Sequence, residues 1–250
     1  MRDKLNICTI ERYDHYIPWT DKTIDKGIAL LNTAPPNPNY DGQYAYQQFL
    51  YAIEKIQMMY SRGDSLAELR AYFPKVIELM QWAWDNYETK YFDRDTLDRR
   101  KLFRVNFDRY VLCLWLYSFA ICLNIERRLL DQLMVLIGNE GEDALFDRLA
   151  ARQYPARTIG ATLIYPRVFQ SLYDALDAPQ AKRATLLVKY VTKWYASMKR
   201  ANWHDTHLGK ELGGYNGYWC FEVAGVVKTF GLDDSAIEDL PYYPKDLAHG

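Results

Sequence analysis

The chain has 250 residues, enough for one large domain or two small ones with a substantial core. Hydrophobic residues make up 49% and charged residues 25%, an ordinary globular balance, while a formal net charge of −1 argues against a general nucleic-acid binder. Aromatic content is 15%, with 21 Tyr and 7 Trp, side chains that fill cores and also anchor interfaces.

In chain order, the opening Met1-Arg2-Asp3-Lys4-Leu5-Asn6 leads into no apolar stretch of signal-peptide type, so a cytoplasmic location is expected. A helix is predicted over 21–32, followed by a loop at Ala34-Pro35-Pro36-Asn37-Pro38-Asn39, where prolines remove donors and fix the backbone. Over 43–60 the apolar positions Ala45, Phe49, Ala52, Ile53, Ile56, Met59 and Tyr60 recur by threes and fours, which predicts a helix. Ser65 with Glu68 three residues on is a capping-box signature. It precedes the stripe Leu66, Leu69, Phe73, Val76, Ile77, Met80, Trp84 and Tyr87, which Pro74 should kink or split.

The run over 105–125 is apolar on nearly all sides and belongs at the centre of a bundle. Its candidate membrane-spanning part, 111–123, is interrupted by Ser118 and is shorter than the roughly 20 apolar residues a bilayer needs, so no membrane span is expected. A shorter helix is predicted over 129–137, and the Gly138 to Gly141 stretch is the preferred boundary between an N-terminal half, 1–138, and a C-terminal half, 139–250.

Beyond it, 143–151 reads as a short helix, 158–165 as strand or irregular chain, and 168–176 as helix. Pro179 suits the first turn of the next helix, whose face is Ala184, Leu187, Val188, Val191, Trp194, Tyr195 and Met198. A final apolar helix is predicted over 217–230 with Gly231 as its C-terminal cap; Asp234 or Ser235 should cap a last turn that Pro241 and Pro244 stop. The fold class is all-α, a compact array of antiparallel helices in two contiguous halves. Cys8, Cys113, Cys122 and Cys220 form no CxxC pair, and two lie in apolar helical runs, which fits reduced thiols in a reducing compartment.

Candidate chemistry is sparse. In Trp203-His204-Asp205-Thr206-His207, two histidines three apart could bind zinc if Glu211 or Glu222 converged on them, but the spacing matches no strong template and the segment reads as a loop. Glu222 is the one acid in an apolar run. It could be a general base with a raised pKa, or a buried carboxylate satisfied by Tyr hydroxyls, a Trp indole or backbone donors, and the second reading is preferred. The sequence has no Walker loop, GxGxxG, GxSxG or HExxH, so neither an enzyme nor a cofactor is expected. Arg94, Arg99, Arg100, Lys101 and Arg104 interleave with Asp93, Asp95 and Asp98, a solvated mixture and not a phosphate track.

The C-terminal region carries a resemblance. Trp203-His204-Asp205-Thr206-His207, Tyr215-Asn216-Gly217-Tyr218-Trp219-Cys220-Phe221-Glu222, Gly231-Leu232-Asp233-Asp234-Ser235 and Tyr242-Tyr243-Pro244-Lys245-Asp246-Leu247 occur in an order and separation that resemble the PoNi immunity proteins. The resemblance implies an all-helical cytoplasmic protein that binds and blocks a DNase toxin delivered by a neighbouring bacterium, as in type VI secretion, without contacting nucleic acid or membrane. Its motif residues, Trp203, Tyr215, Gly217, Tyr218, Trp219, Phe221, Glu222, Asp233, Asp234, Ser235, Tyr242, Tyr243, Pro244 and Asp246, are expected to be mainly fold determinants.

Such inhibitors offer acidic surface to a basic DNA-binding cleft. With a net charge of only −1, that surface must be local, and Glu140, Glu142, Asp143, Asp147, Glu238 and Asp239 are the candidates. A helical adaptor binding a non-toxin protein, and a metal-dependent hydrolase using His204, His207 and Glu222, are the alternatives.

Overall fold

In the computed structural model, residues 1–35, 37, 41–85, 103–212 and 214–250 are described, with the side chain of Glu211 left aside. These residues form helices, turns and irregular chain with no strand, an all-α fold. Contacts group the chain into two compact units, one of residues 1–100, 126–136 and 215–217, the other of 101–125, 137–214 and 218–250. The basic and acidic run at 93–101 and the Tyr87 end of its preceding stripe lie outside the described residues, as do parts of the proline loop.

The first unit is built on α1 (Ile10–Thr33), α2 (Asp41–Arg62) and α3 (Leu66–Ala83), packed in succession. α1 starts well before the predicted Asp21, and its buried face is Tyr13, Ile17, Thr20, Ile24 and Gly27. The helix runs through Pro18, and α3 likewise continues through Pro74 without splitting. Both prolines are on exposed faces, where water can satisfy the carbonyl left without a partner. Ser65 and Glu68 form the reciprocal capping box, Ser65 Oγ accepting from Glu68 N at 3.2 Å and Glu68 accepting from Ser65 N at 2.8 Å.

The N-terminal residues are fastened to the end of α2. The N–H groups of Arg2 and Asp3 both donate to the Ser61 carbonyl, and the Arg2 guanidinium donates to the carbonyls of Tyr60 and Asp64. The buried Asp3 carboxylate accepts from Tyr13 OH at 3.2 Å and from Tyr215 OH at 2.7 Å. Arg12 and Ser61 donate to the carbonyls of Tyr215 and Asn216, so residues 215–217 are held by side chains from the first 62 residues.

The second unit centres on α4 (Phe107–Cys122), buried almost all round. Asn106 caps it, accepting from Arg109 N at 3.0 Å. The shorter α5 (Arg127–Ile137) comes next in the chain, and its residues up to Leu136 belong to the first unit. Then come α6 (Ala144–Ala151), α7 (Pro166–Ala175), α8 (Gln180–Ser197), α9 (Phe221–Phe230) and the short α10 (Lys245–Ala248). Pro166 opens α7 in its first turn and Pro179 is the N-cap residue of α8.

α9 begins four residues later than the predicted start at Gly217. Gly217 has φ +95°, outside the helical region, and the Cys220 N–H is taken by the Tyr242 carbonyl at 3.0 Å. Gly231 does end α9, in the left-handed region at φ +59°. The segment at 158–165 is irregular. The buried thiols of Cys113, Cys122 and Cys220 are all pushed up by burial, Cys122 to about 12, so they are protonated and inert at neutral pH.

α9 crosses α4 closely because Gly225 has no side chain. A Cβ there would fall 2.2 Å from Ser118 Oγ and 3.0 Å from Ser118 Cα. Gly225→Ala should therefore destabilise the protein by about 2 kcal/mol, although alanine is the better helix former by about 1 kcal/mol. Urea unfolding checks this. A loss partly restored in the double variant with Ser118→Gly fits the close approach, and an unchanged midpoint contradicts it.

Candidate functional site

The acid singled out in the C-terminal apolar run sits in the first turn of α9, where the positive end of the helix dipole favours a carboxylate. Glu222 is 1% exposed. Its Oε1 accepts from Tyr190 OH at 2.6 Å and from Trp194 Nε1 at 2.6 Å, and its Oε2 accepts from Trp115 Nε1 at 2.8 Å. Indole N–H groups can only donate, so a carboxylate is the natural partner for two of them. Burial raises the Glu222 pKa, and the Tyr190, Trp115 and Trp194 bonds oppose that rise.

Trp203 stacks on Trp194 at 5.4 Å and 18°, and lies 5.3 Å from the Trp115 ring. The carboxylate is thus walled by aromatic rings and joins α4, α8 and α9. What the arrangement does chemically is hold three elements together, and both oxygens are occupied by donors of the protein itself.

The histidine pair follows α8 in a turn that runs into a short 3-10 segment, Thr206–Leu208. His204 stacks on the Tyr195 ring at 4.3 Å, with Nδ1 3.1 Å from Asp205 Oδ2. His207 Nδ1 pairs with Tyr218 OH at 2.8 Å. Asp205 takes the left-handed backbone at φ +60° and accepts from Tyr195 OH at 2.6 Å. Among the described residues no group of three His, Cys, Asp or Glu side chains is placed to hold a metal ion, so His204, His207 and Glu222 are not assembled as one.

The other motif residues are spread along the C-terminal part. Tyr215, Tyr218, Trp219, Phe221, Tyr243 and Pro244 are buried, and Asp233, Ser235 and Asp246 are exposed. Asp233, not Asp234 or Ser235, caps the turn after α9: its Oδ1 accepts from Ser235 N at 3.0 Å. Asp234 instead accepts from Tyr243 OH at 2.5 Å and lies 2.9 Å from His249 Nε2, tying the Tyr-Tyr-Pro segment down.

The six acids expected on a binding surface divide. Asp143 and Asp147 are both 0% exposed and cannot be part of one. Asp143 is the N-cap of α6, with Oδ1 accepting from Leu145 N, Phe146 N and Tyr110 OH, and Oδ2 from Ile164 N at 2.9 Å. Burial raises its pKa against those four hydrogen bonds. Asp147, one helical turn on, accepts from Arg157 Nε at 2.7 Å and from the N–H groups of Gly141, Asp143 and Gly160.

The two aspartates therefore clamp the irregular 158–164 segment onto α6, which is why a stretch that reads as strand or coil is ordered without a ladder. Gly160 fits there for want of a side chain, since a Cβ would lie 2.7 Å from Asp143 N. Of the remaining acids, Glu140 is exposed and accepts from Thr158 N at 2.7 Å, Glu142 lies 4.0 Å from Arg104, Glu238 pairs with Lys245 at 2.5 Å, and Asp239 is exposed.

An aromatic and cationic groove that sequence reasoning missed lies in the first unit, between α1 and α2. Its volume is about 660 Å³, and Trp19, Lys22, Lys26, Tyr44, Gln48 and Tyr51 are among its lining residues. The signal was available as stripes at helical spacing, but the same spacing equally describes a buried face. Among the described residues no helix is long and apolar enough to cross a membrane.

Comparison with known proteins gives the chain its place. A crystal structure of protein PA2201 from Pseudomonas aeruginosa has a similar fold, with TM-score 0.65 and 20% identity over 93% of this chain and 87% of that one. None of the curated proteins compared matches the chain. Two family descriptions do: the N-terminal part of the PoNe immunity protein (PoNi) matches residues 6–135, and the C-terminal part matches residues 141–247. Together they span nearly the whole sequence, and the chain belongs to the PoNe immunity protein (PoNi) family.

Proposed function

We propose that this protein binds a cognate polymorphic nuclease toxin delivered by a competing bacterium, through a route such as type VI secretion, and neutralises it in the cytoplasm of the producer and its kin. The observation that carries the reading is the pair of family matches on either side of Gly138, which also supports two halves meeting there. Neutralisation is by occupancy and not by chemistry on the toxin. That is supported by Glu222, the best acid for a catalytic role, having both oxygens engaged by Trp115, Tyr190 and Trp194. The motif residues in this reading keep the fold, and toxin specificity belongs to exposed positions outside them.

The test is protection. Cells carrying the nuclease encoded beside this gene should survive its induction when this chain is co-expressed, and the two proteins should co-purify as a complex. Survival that is no better than with an empty vector, together with no complex, rejects the proposal.

A further inference from the structure

We infer that the groove between α1 and α2 is a docking site for an acidic, apolar-anchored segment of the toxin; this rests on the toxin-binding reading and names the surface that performs it. The groove is lined along α1 by Trp19, Lys22, Lys26 and Leu30, and along α2 by Tyr44, Gln48 and Tyr51. The α1 residues are spaced by three and four, so they form one stripe about 16 Å long at 1.5 Å per residue, room for a short helix laid between two helices.

Three large apolar side chains stand out of it: Trp19 is 46% exposed, Leu30 47% and Tyr44 47%. Trp19 meets Tyr51 edge to face at 6.3 Å at one end, while Leu30 and Tyr44 mark the other. Large exposed apolar side chains at both ends of one groove are the residues that act as anchors when a partner excludes water from them.

Charge decides the occupant. The lining includes Lys22 and Lys26, one helical turn apart and both exposed, and no acidic side chain. A segment with carboxylates one turn apart would meet both cations, which steers encounter as well as fixing register. The floor adds a second signal. Gln48 is 2% exposed, its Nε2 donates to the Tyr44 carbonyl at 3.0 Å, and its Oε1 has no hydrogen-bond partner. Gly27 leaves the space that this amide occupies, since a Cβ there would lie 2.3 Å from it. An acceptor left unmade at that depth is costly, and an N–H or O–H from a bound segment would satisfy it once the amide turns outward.

This places the contact on a cationic surface, opposite in sign to the acidic patch that the net charge made local. Of that patch, Asp143 and Asp147 are buried, and Glu140 and Glu238 are engaged by Thr158 and Lys245 of the same chain.

The experiment measures the affinity of the full chain for the purified, catalytically inactivated nuclease encoded beside its gene. Trp19→Ala and the double variant Lys22→Glu with Lys26→Glu should each weaken binding at least tenfold, with the free protein still unfolding cooperatively in both and the urea midpoint unchanged in the lysine variant, whose side chains are exposed. A photo-crosslinking residue in place of Tyr44 should join to the nuclease at a peptide rich in Asp or Glu, a readout that does not depend on any variant's affinity. A wild-type complex whose affinity is unmoved by both variants overturns this site while leaving toxin binding intact. Crosslinking only to a second copy of this chain also overturns it. No complex with the wild-type chain overturns toxin binding itself, and this inference with it.

Discussion

Glu222→Ala is expected to lower unfolding free energy by about 4 kcal/mol or more, a large share of the about 5–15 kcal/mol that keeps a typical domain folded. The estimate follows from the donors left behind. Trp115 Nε1, Trp194 Nε1 and Tyr190 OH all point at the carboxylate, and each loses its acceptor at a depth water does not reach. At about 1–3 kcal/mol for each unmade bond, plus the cavity, the total is large even allowing for relaxation.

Glu222→Gln sharpens the point. One amide oxygen can still accept, but its NH2 then faces an N–H or O–H, so the loss should lie between wild type and Glu222→Ala. Urea unfolding followed by tryptophan fluorescence reads both, because Trp115 and Trp194 contact the site directly. If Glu222→Ala keeps the wild-type midpoint yet abolishes toxin neutralisation, the residue acts at a binding or catalytic surface and the packing account is wrong.

Asp147→Ala should cost a similar amount, about 4 kcal/mol, for a different reason. The Asp147 and Arg157 side chains are 0% and 7% exposed and 2.7 Å apart, so removing the acid strands a buried guanidinium. Breaking such a pair costs about 3–5 kcal/mol, although building it stabilises far less. Three backbone N–H groups lose their acceptor as well. Arg157→Met with Asp147→Ala together should recover part of the loss, since no unpaired charge then remains buried. Hydrogen exchange should place the damage at residues 158–164 and the start of α6. Full stability in Asp147→Ala would show the pair to be peripheral.

How far these sites could be read beforehand depends on where their partners lie in the chain. α4 and the Ser65 cap were legible because periodicity and capping are local properties, complete within a few residues. Glu222 was legible as a buried acid for the same reason, since its apolar neighbours are adjacent, although the identity of its donors was not: Trp115 is 107 residues away.

Asp143 and Asp147 misled because charge at a helix start is usually solvated, and the groups that bury them, Arg157, Gly160 and Ile164, come from a segment without periodicity. The start of α9 was misplaced because the Tyr242 carbonyl that occupies the Cys220 N–H is a tertiary partner. The early part of α1 does carry Ile10, Tyr13, Ile17 and Ile24 at helical spacing, but Pro18 within it argues locally for a break, and the Asp3 carboxylate that accepts from both Tyr13 and Tyr215 is a tertiary partner.

Neutralisation by occupancy, with Glu222 and the histidine pair committed to the fold, demands inhibition that is stoichiometric and reversible. Titrating the purified chain into a fixed amount of active cognate nuclease, and following DNA cleavage, tests it most directly. Activity should fall in proportion to added protein, reach zero at a fixed stoichiometric ratio, and return when the complex is dissociated and the two proteins are separated. Loss of nuclease activity at strongly sub-stoichiometric amounts, persisting after the chain is removed, would contradict it and mark the chain as an enzyme acting on the toxin.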